Sequence, residues 1–137
     1  MIPEFRTEAF TDFSRPENVA AFTAALAKAK AEIGRTYPLV IDGEARELRD
    51  NFPSINPSRP AEVVGYFANG SAADADQAIE AAARAFKTWQ YVPVAERTRY
   101  LLRAAAAMRR RKHEFSAYMV LETGKSWFEA DADTAEA

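Results

Sequence analysis

The chain has 137 residues, a length typical of a single domain. Hydrophobic residues make up 48% of it, but 29 residues are alanines, and an alanine methyl buries little apolar surface. The formal net charge is -2 and the isoelectric point is about 5.5, whereas nucleic-acid-binding domains usually carry a basic excess. The composition therefore predicts a helix-rich protein with a thin core and no nucleic-acid partner.

Cysteine is absent, and His113 is the single histidine. The sequence thus excludes disulfides, thiolate zinc sites and cysteine nucleophiles within this chain, and it cannot supply a multi-histidine metal site. No apolar stretch is long enough for a signal peptide or a membrane span. We expect a cytoplasmic protein without a membrane partner.

The first elements are an arm and a helix. Residues 1–13 mix polar and aromatic residues without a period and are interpreted as an extended arm. Ser14–Glu17 matches a capping box with an early proline, which predicts a helix over residues 16–33. Gly34 supplies the stop signal.

Four short segments then favour β-structure. Tyr37 to Ile41 is followed by Asp42-Gly43, a strong hairpin signal, and Glu44 to Leu48 is the expected second strand. Phe52 to Asn56 and Ala61 to Phe67 are the other two. Several prolines around the third segment predict edge strands, because proline cannot donate to a strand ladder.

The rest of the chain is typical of helices. Ser71–Asp74 opens the second, which ends near Trp89. The spacing of its apolar residues predicts one buried face. That face comprises Ile79, Ala82, Ala83 and Phe86.

Pro93 starts the third helix, whose predicted buried stripe is Leu101, Ala104, Ala105 and Met108. A break or bend is expected near His113 and a stop at Gly124. A further capping box at Ser126–Glu129 begins a helix that reaches Ala137 without a stop signal. We therefore expect a segment of a longer protein.

Few residues suggest chemistry by themselves. The five glycines stand apart and form neither a GxGxxG loop nor a P-loop, so they are interpreted as turn glycines. His113 lies in a basic run and is interpreted as a solvated surface group. Arg109–Lys112 could bind phosphate or an acidic partner, although helical spacing points these four residues in different directions and favours a solvated face.

The acidic stretch from Glu122 to Glu136 places Glu129, Asp133 and Glu136 on one helix face. Carboxylates alone are a weak signal for a cation site, and no metal is predicted. From the residues alone, no complete active site is visible.

Several stretches resemble the N-terminal region of the aldehyde dehydrogenase superfamily. The order and spacing of these stretches are more specific than any one of them. They are Pro38-Leu39-Val40-Ile41-Asp42-Gly43-Glu44, Asn56-Pro57, Glu62-Val63-Val64-Gly65, Ala81 to Trp89, Arg97, Leu101 to Arg111, and Leu121-Glu122-Thr123-Gly124-Lys125.

Within that superfamily the chain looks most like the bacterial 1-pyrroline-5-carboxylate dehydrogenases, which oxidise L-glutamate γ-semialdehyde in proline catabolism. The marks are Tyr37-Pro38-Leu39, Met108 to Lys112, Gly124-Lys125-Ser126-Trp127 and Ala132 to Ala137. The resemblance implies an α/β parent fold, of which this chain is a mainly helical part with a small β insert. Residues 14–137 would be the N-terminal part of its cofactor-binding domain.

The same resemblance implies the chemistry. In the family a cysteine thiolate captures the aldehyde, hydride passes to NAD, and a glutamate-activated water hydrolyses the thioester. Those groups lie downstream of residue 137, so no catalytic or cofactor-binding residue is expected in this chain, and the chain alone is expected to be inactive. A small aldehyde substrate and a homo-oligomeric parent are also implied.

One residue is carried over for substrate binding. In proteins of this type, the acid matching Glu136 lies at the mouth of the aldehyde tunnel and pairs with the substrate's α-amino group. The alternative for this residue is a helix-surface glutamate. The alternative for the chain is a free-standing, non-catalytic helical module that binds a partner through its 101–121 face.

Overall fold

The computed structural model describes residues 4–47 and 49–137. Residues 4–12 have no regular secondary structure. Within the described part, no helix is both long and apolar enough to cross a membrane. The helices are α1 (Pro16–Glu32), α2 (Ala72–Trp89), α3 (Val94–Arg110), α4 (Lys112–Thr123) and α5 (Trp127–Glu136). The strands are β1 (Arg35–Tyr37), β2 (Leu39–Ile41), β3 (Glu44–Arg46), β4 (Asn51–Ile55) and β5 (Val63–Ala68).

The start of α1 differs from the predicted capping box. Pro16 is the first helical residue, so the N-cap position falls on Arg15, whose side chain makes no capping hydrogen bond. The Ser14 hydroxyl donates to Asp12 instead, at 2.6 Å. Proline at the first helical position supplies a preset φ and needs no donor partner, which explains why the helix starts there without the box. The predicted bounds of α1 are otherwise confirmed to within one residue.

The predicted strand from Tyr37 to Ile41 is two strands. Pro38 separates β1 from β2, and the two belong to different sheets. The hairpin after Ile41 is confirmed: β2 pairs antiparallel with β3, and Asp42 and Gly43 both have positive φ, at 57° and 79°. Leu48, the expected end of the second hairpin strand, lies outside the described residues.

The larger sheet has the order β1-β5-β4, with β1 parallel and β4 antiparallel to β5. The edge position predicted for the proline-containing strand is confirmed, since β4 contains Pro53. Gly65 is not a turn glycine as expected, because it lies inside β5. A Cβ at Gly65 would come within 3.0 Å of the Tyr37 ring, so glycine lets this ring pack against the strand.

The core lies among α1, α4, α5 and β5, which together with residues 4–13 are called the packed half. Ala29 of α1 and Ala117 of α4 are buried beside Val64 and Leu121. These small side chains let the helix backbones approach closely, which is how an alanine-rich sequence forms a core. Phe22 is fully buried and is the largest such side chain among the described residues.

Helices α2 and α3, called the open half, contradict the predicted buried faces. Ile79 is 67% exposed, Phe86 57% and Leu101 73%, and α3 has no buried residue. Of α2, only Ala81 is buried, against the β2–β3 hairpin side of the molecule, where Arg84 binds Asp42 at 3.1 Å. Both helices have the expected amphipathic pattern, but nothing in the described chain covers their apolar faces.

The start of α2, the break between α3 and α4 and the end of α4 agree with the boundaries predicted from the sequence. The capping box opening α2 is confirmed, and the expected break near His113 occurs at Arg111, between α3 and α4. Helix α4 ends at Gly124, as predicted. The fold class expected for this chain, mainly helical with a small β insert, is confirmed.

Candidate substrate-binding helix

The helix that carries Glu136 begins with a complete capping box. The Ser126 hydroxyl accepts from the Glu129 N–H at 3.3 Å, and the Glu129 carboxylate accepts from the Ser126 N–H at 3.0 Å. These bonds satisfy backbone donors that have no partner within the helix. The Ser126 hydroxyl also donates to the Glu129 carboxylate at 2.8 Å, and this bond, together with that from the Ser126 N–H, holds the pKa of Glu129 below its usual value. The sequence thus fixes where α5 starts.

A buried ion pair fixes the position of α5 against α4 and the N-terminal arm. Asp131 is fully buried, and Lys112 of α4 donates to its Oδ2 at 2.9 Å. Thr11 of the N-terminal arm completes the site: its N–H donates to Oδ2 at 2.7 Å and its hydroxyl to Oδ1 at 2.6 Å. Lys112 also donates to the Ala9 carbonyl at 2.8 Å. The carboxylate therefore joins α5, α4 and the arm at one point.

The electrostatics of this cluster favour the charged carboxylate. Burial raises the pKa of Asp131, but the hydrogen bonds from Thr11 and Lys112 and the charge of Lys112 outweigh it and hold the pKa below its usual value. One turn further on, the Thr134 and Ser116 hydroxyls are 2.9 Å apart and both buried. These two polar contacts, one turn apart, fix both the rotation of α5 about its axis and its position along α4.

The opposite face of α5 is acidic and open. Glu129, Asp133 and Glu136 share it, at the spacing expected from about 100° per residue. Lys125 pairs with Asp133, and this contact raises the pKa of Lys125. Glu136 is exposed and makes no hydrogen bond or ion pair within residues 4–47 and 49–137. It is the acid of this face that is left for another partner.

The other sequence candidates have structural partners. Arg109 binds Glu8 at 2.6 Å, and Arg111 binds Glu114 at 2.5 Å. The basic run thus forms local ion pairs rather than one phosphate site. Lys112 corrects the expectation of a solvated run, because its side chain is only 13% exposed.

His113 is also not the solvated group that was expected. Its ring meets the Phe22 ring edge-on, with centroids 5.7 Å apart, and its Nδ1 is buried with no hydrogen-bond partner in the described chain. The Trp127 ring also contacts Phe22, in a tilted arrangement with centroids 4.6 Å apart. Position 113 faces α1 across the packed half, so an aromatic environment replaces water.

A cleft of about 360 Å³ lies between α1, the sheet and α4, away from Glu136. Its charged groups already pair with protein groups: Tyr118 donates to Glu32 at 3.0 Å, and Ser54 donates to Glu122 at 2.7 Å. Burial, with the bond to Glu32, raises the pKa of Tyr118 to about 12. These internal pairs explain the cleft as a structural network.

The described residues offer neither a metal-ligand cluster nor a glycine-rich phosphate loop. The described part of the chain contains no group of three or more acidic, histidine or cysteine side chains that could hold a metal ion. The sequence contains no glycine-rich phosphate loop for a dinucleotide. The residues present therefore do not fit an NAD site.

Sequence reasoning missed Asp131. On a helical wheel it lies beside Ala130 and Thr134, a face whose buried character no hydrophobic pattern marks. Its partner Thr11 is 120 residues away, in a segment without a period. A periodicity argument had no signal for this contact.

Comparison with known proteins identifies the fold. The aldehyde dehydrogenase family model matches residues 44–137. The 1-pyrroline-5-carboxylate dehydrogenase of Bacillus pumilus (strain SAFR-032) is 52% identical over 137 residues, covering all of this chain and 27% of that protein. The 1-pyrroline-5-carboxylate dehydrogenase 2 of Bacillus subtilis (strain 168) has the same identity and coverage.

Solved structures agree. A crystal structure of 1-pyrroline-5-carboxylate dehydrogenase from Thermus with bound NAD superposes with a TM-score of 0.96 at 47% identity, over 98% of this chain and 26% of that one. The Delta-pyrroline-5-carboxylate dehydrogenase of Mycobacterium tuberculosis bound with NAD gives 0.85 at 28% identity, over 95% of this chain and 25% of that one. The chain spans about a quarter of the length of the relatives it matches, their N-terminal quarter. It belongs to the aldehyde dehydrogenase family.

Proposed function

We propose that this chain is the N-terminal part of an NAD-dependent dehydrogenase that oxidises L-glutamate γ-semialdehyde (1-pyrroline-5-carboxylate) in the cytoplasm during proline catabolism. The carrying observation is the match of the whole chain, at 52% identity, to proteins named for that reaction. Residues 14–137 would form part of the cofactor-binding domain. The absence of catalytic turnover by the chain alone stays a prediction.

Within that enzyme, Glu136 binds the α-ammonium group of the substrate. Its carboxylate is exposed at the last turn of α5 and makes no hydrogen bond or ion pair within the described residues. Asp133, by contrast, already binds Lys125. An unpaired carboxylate creates a negative potential that attracts an ammonium group, and more strongly where water is excluded.

The open half supports membership in a larger enzyme. Soluble monomers rarely expose large contiguous apolar surface, and such surface marks a contact with another structure. In the proposed enzyme, the remaining part of the dehydrogenase fold covers α2 and α3. This arrangement accounts for two helices that are amphipathic and yet unburied.

The rival proposal, a free-standing module with a binding face over residues 101–121, is not supported by the packing. That stretch breaks at Arg111. Its second part turns inward: Ala117 is 0% exposed and Leu121 2% exposed. The stretch therefore has no single exposed face.

Two substrates that differ only in the amino group test the role of Glu136. In the full-length enzyme, we expect Glu136→Gln to lower kcat/KM for L-glutamate γ-semialdehyde about tenfold or more, because it removes a charge-assisted bond worth ~1.5–3 kcal/mol. Glutarate semialdehyde, which keeps the aldehyde and the carboxylate, should be affected much less. Steady-state NADH formation measures both.

The matched control is Glu129→Gln, which removes a charge from the same helix face but at the other end of α5. It should leave the ratio of the two kcat/KM values unchanged. Equal losses for both substrates in Glu136→Gln, or no loss, would show that Glu136 is a surface acid.

A further inference from the structure

We propose that the buried cluster of Thr11, Lys112 and Asp131 is a positioning site, through which the N-terminal arm holds Glu136 in place for substrate binding. This inference rests on the proposed role of Glu136. None of the three residues is proposed to touch the substrate. They act by fixing the position of α5, the helix that carries Glu136.

The geometry connects the cluster to the end of the helix. Asp131 and Glu136 are five residues apart, which corresponds to about 7.5 Å along the axis. Asp131 points into the protein, and Glu136 lies on the opposite face. Because the helix is rigid, a rotation of α5 at Asp131 also moves Glu136. Looser packing around Asp131 therefore displaces the exposed Glu136 carboxylate.

The arm also borders the last turn of α5. A small cavity of about 50 Å³ has in its lining Glu8 of the arm, Thr134 and Ala135 of α5, and Ala137, which follows α5. Further along, the Phe10 ring meets Phe128 edge-on with centroids 5.8 Å apart. The arm therefore contacts α5 near its beginning, at its middle and beside its end.

The cluster is built for one arrangement. The Asp131 carboxylate accepts three hydrogen bonds, from the Thr11 N–H, the Thr11 hydroxyl and the Lys112 ammonium, at 2.6 to 2.9 Å. Lys112 has further acceptors in the arm, the Ala9 carbonyl and the Thr11 hydroxyl. A buried ion pair adds little net stability over an apolar replacement, and its best-attested use is to specify one arrangement. Fixing α5 against the arm is such a use.

The test removes one bond without changing shape. In the full-length enzyme, Thr11→Val keeps the branched side chain and the backbone donor but loses the hydroxyl that binds Asp131. We expect KM for L-glutamate γ-semialdehyde to rise about three- to tenfold. The kcat, the KM for NAD and the KM for glutarate semialdehyde should stay unchanged, since only the ammonium contact is displaced.

Three controls separate positioning from simple destabilisation. Thr11→Ser restores the hydroxyl and should restore KM. Asp12→Asn alters the neighbouring arm residue, which binds Ser14 rather than α5, and should have no effect. In a Glu136→Gln background, Thr11→Val should cause no further loss, because two residues that act through one contact are not additive.

The outcomes distinguish the two proposals. If Glu136→Gln shows no selective effect, the proposed substrate contact is wrong, whatever Thr11→Val does. If Glu136→Gln is selective while Thr11→Val leaves KM unchanged, or affects both aldehydes equally, the positioning proposal alone is overturned. An additive double variant would also overturn it.

Discussion

The packed half and the open half of this chain are built from similar alanine-rich helices but differ in how far these helices are buried. In the packed half, Ala29, Ala117 and Ala130 are essentially buried, and so is the aromatic ring of Phe22. In the open half, the more strongly amphipathic helices α2 and α3 leave their apolar faces in water. An amphipathic pattern thus states which face needs a partner, and it does not state whether that partner lies in the same chain.

A pair of large-to-small substitutions should separate the halves most strongly. In the 137-residue chain, Phe22→Ala should cost about 3–5 kcal/mol in the free energy of unfolding, because it leaves a cavity in a fully buried site. Leu101→Ala should change it by less than about 0.5 kcal/mol, because that side chain is already 73% exposed. Urea unfolding followed by circular dichroism measures both. Similar losses for the two variants would remove the distinction between the halves.

Within the packed half, a second pair compares a buried with an exposed ion pair. Asp131→Asn should cost about 3 kcal/mol, since it leaves Lys112, 13% exposed, without its counter-charge. Asp133→Asn, on the exposed face of the same helix, should cost less than about 1 kcal/mol. If the two variants unfold at the same urea concentration, Asp131 does not anchor α5.

A smaller effect should appear with pH. The pKa of Asp131 is held below its usual value in the folded chain, so ionisation of this group stabilises the fold at pH values above the pKa of an aspartate in the unfolded chain. The stabilisation is lost as the pH falls through the lowered native pKa. The stability gap between the parent chain and Asp131→Asn should therefore be full at about pH 6 and shrink towards about pH 2.5. A gap that is independent of pH in urea titrations would contradict an ionised Asp131.

Local signals in the sequence predicted much of the backbone. The hairpin at Asp42-Gly43, the helix starts at Ser71 and Ser126 and the edge strand with Pro53 all follow from neighbouring residues. The start of α1 failed for a local reason as well. Proline favours the first helical position, and Pro16 occupies it. The N-cap position therefore falls on Arg15 rather than on Ser14.

The candidate site depends on contacts that no local pattern records. Asp131 meets Thr11 across 120 residues, and His113 packs on Phe22 from another helix. His113 was expected to be a solvated surface group because it lies in a basic run, and no sequence pattern marked Asp131 as buried. Glu136 came from the resemblance to the aldehyde dehydrogenases, and its binding role stays a prediction.

Amide hydrogen exchange, compared between the 137-residue chain and the full-length dehydrogenase, tests the central claim that the open half is completed by the rest of the enzyme. In the chain alone, amides of α3 should exchange much faster than those of α4, because α3 has no buried residue. In the full-length enzyme, α2 and α3 should reach the protection of α1 and α4. Protection of α3 equal to that of α4 in the chain alone, or unchanged exchange of α2 and α3 in the full-length enzyme, would contradict the account.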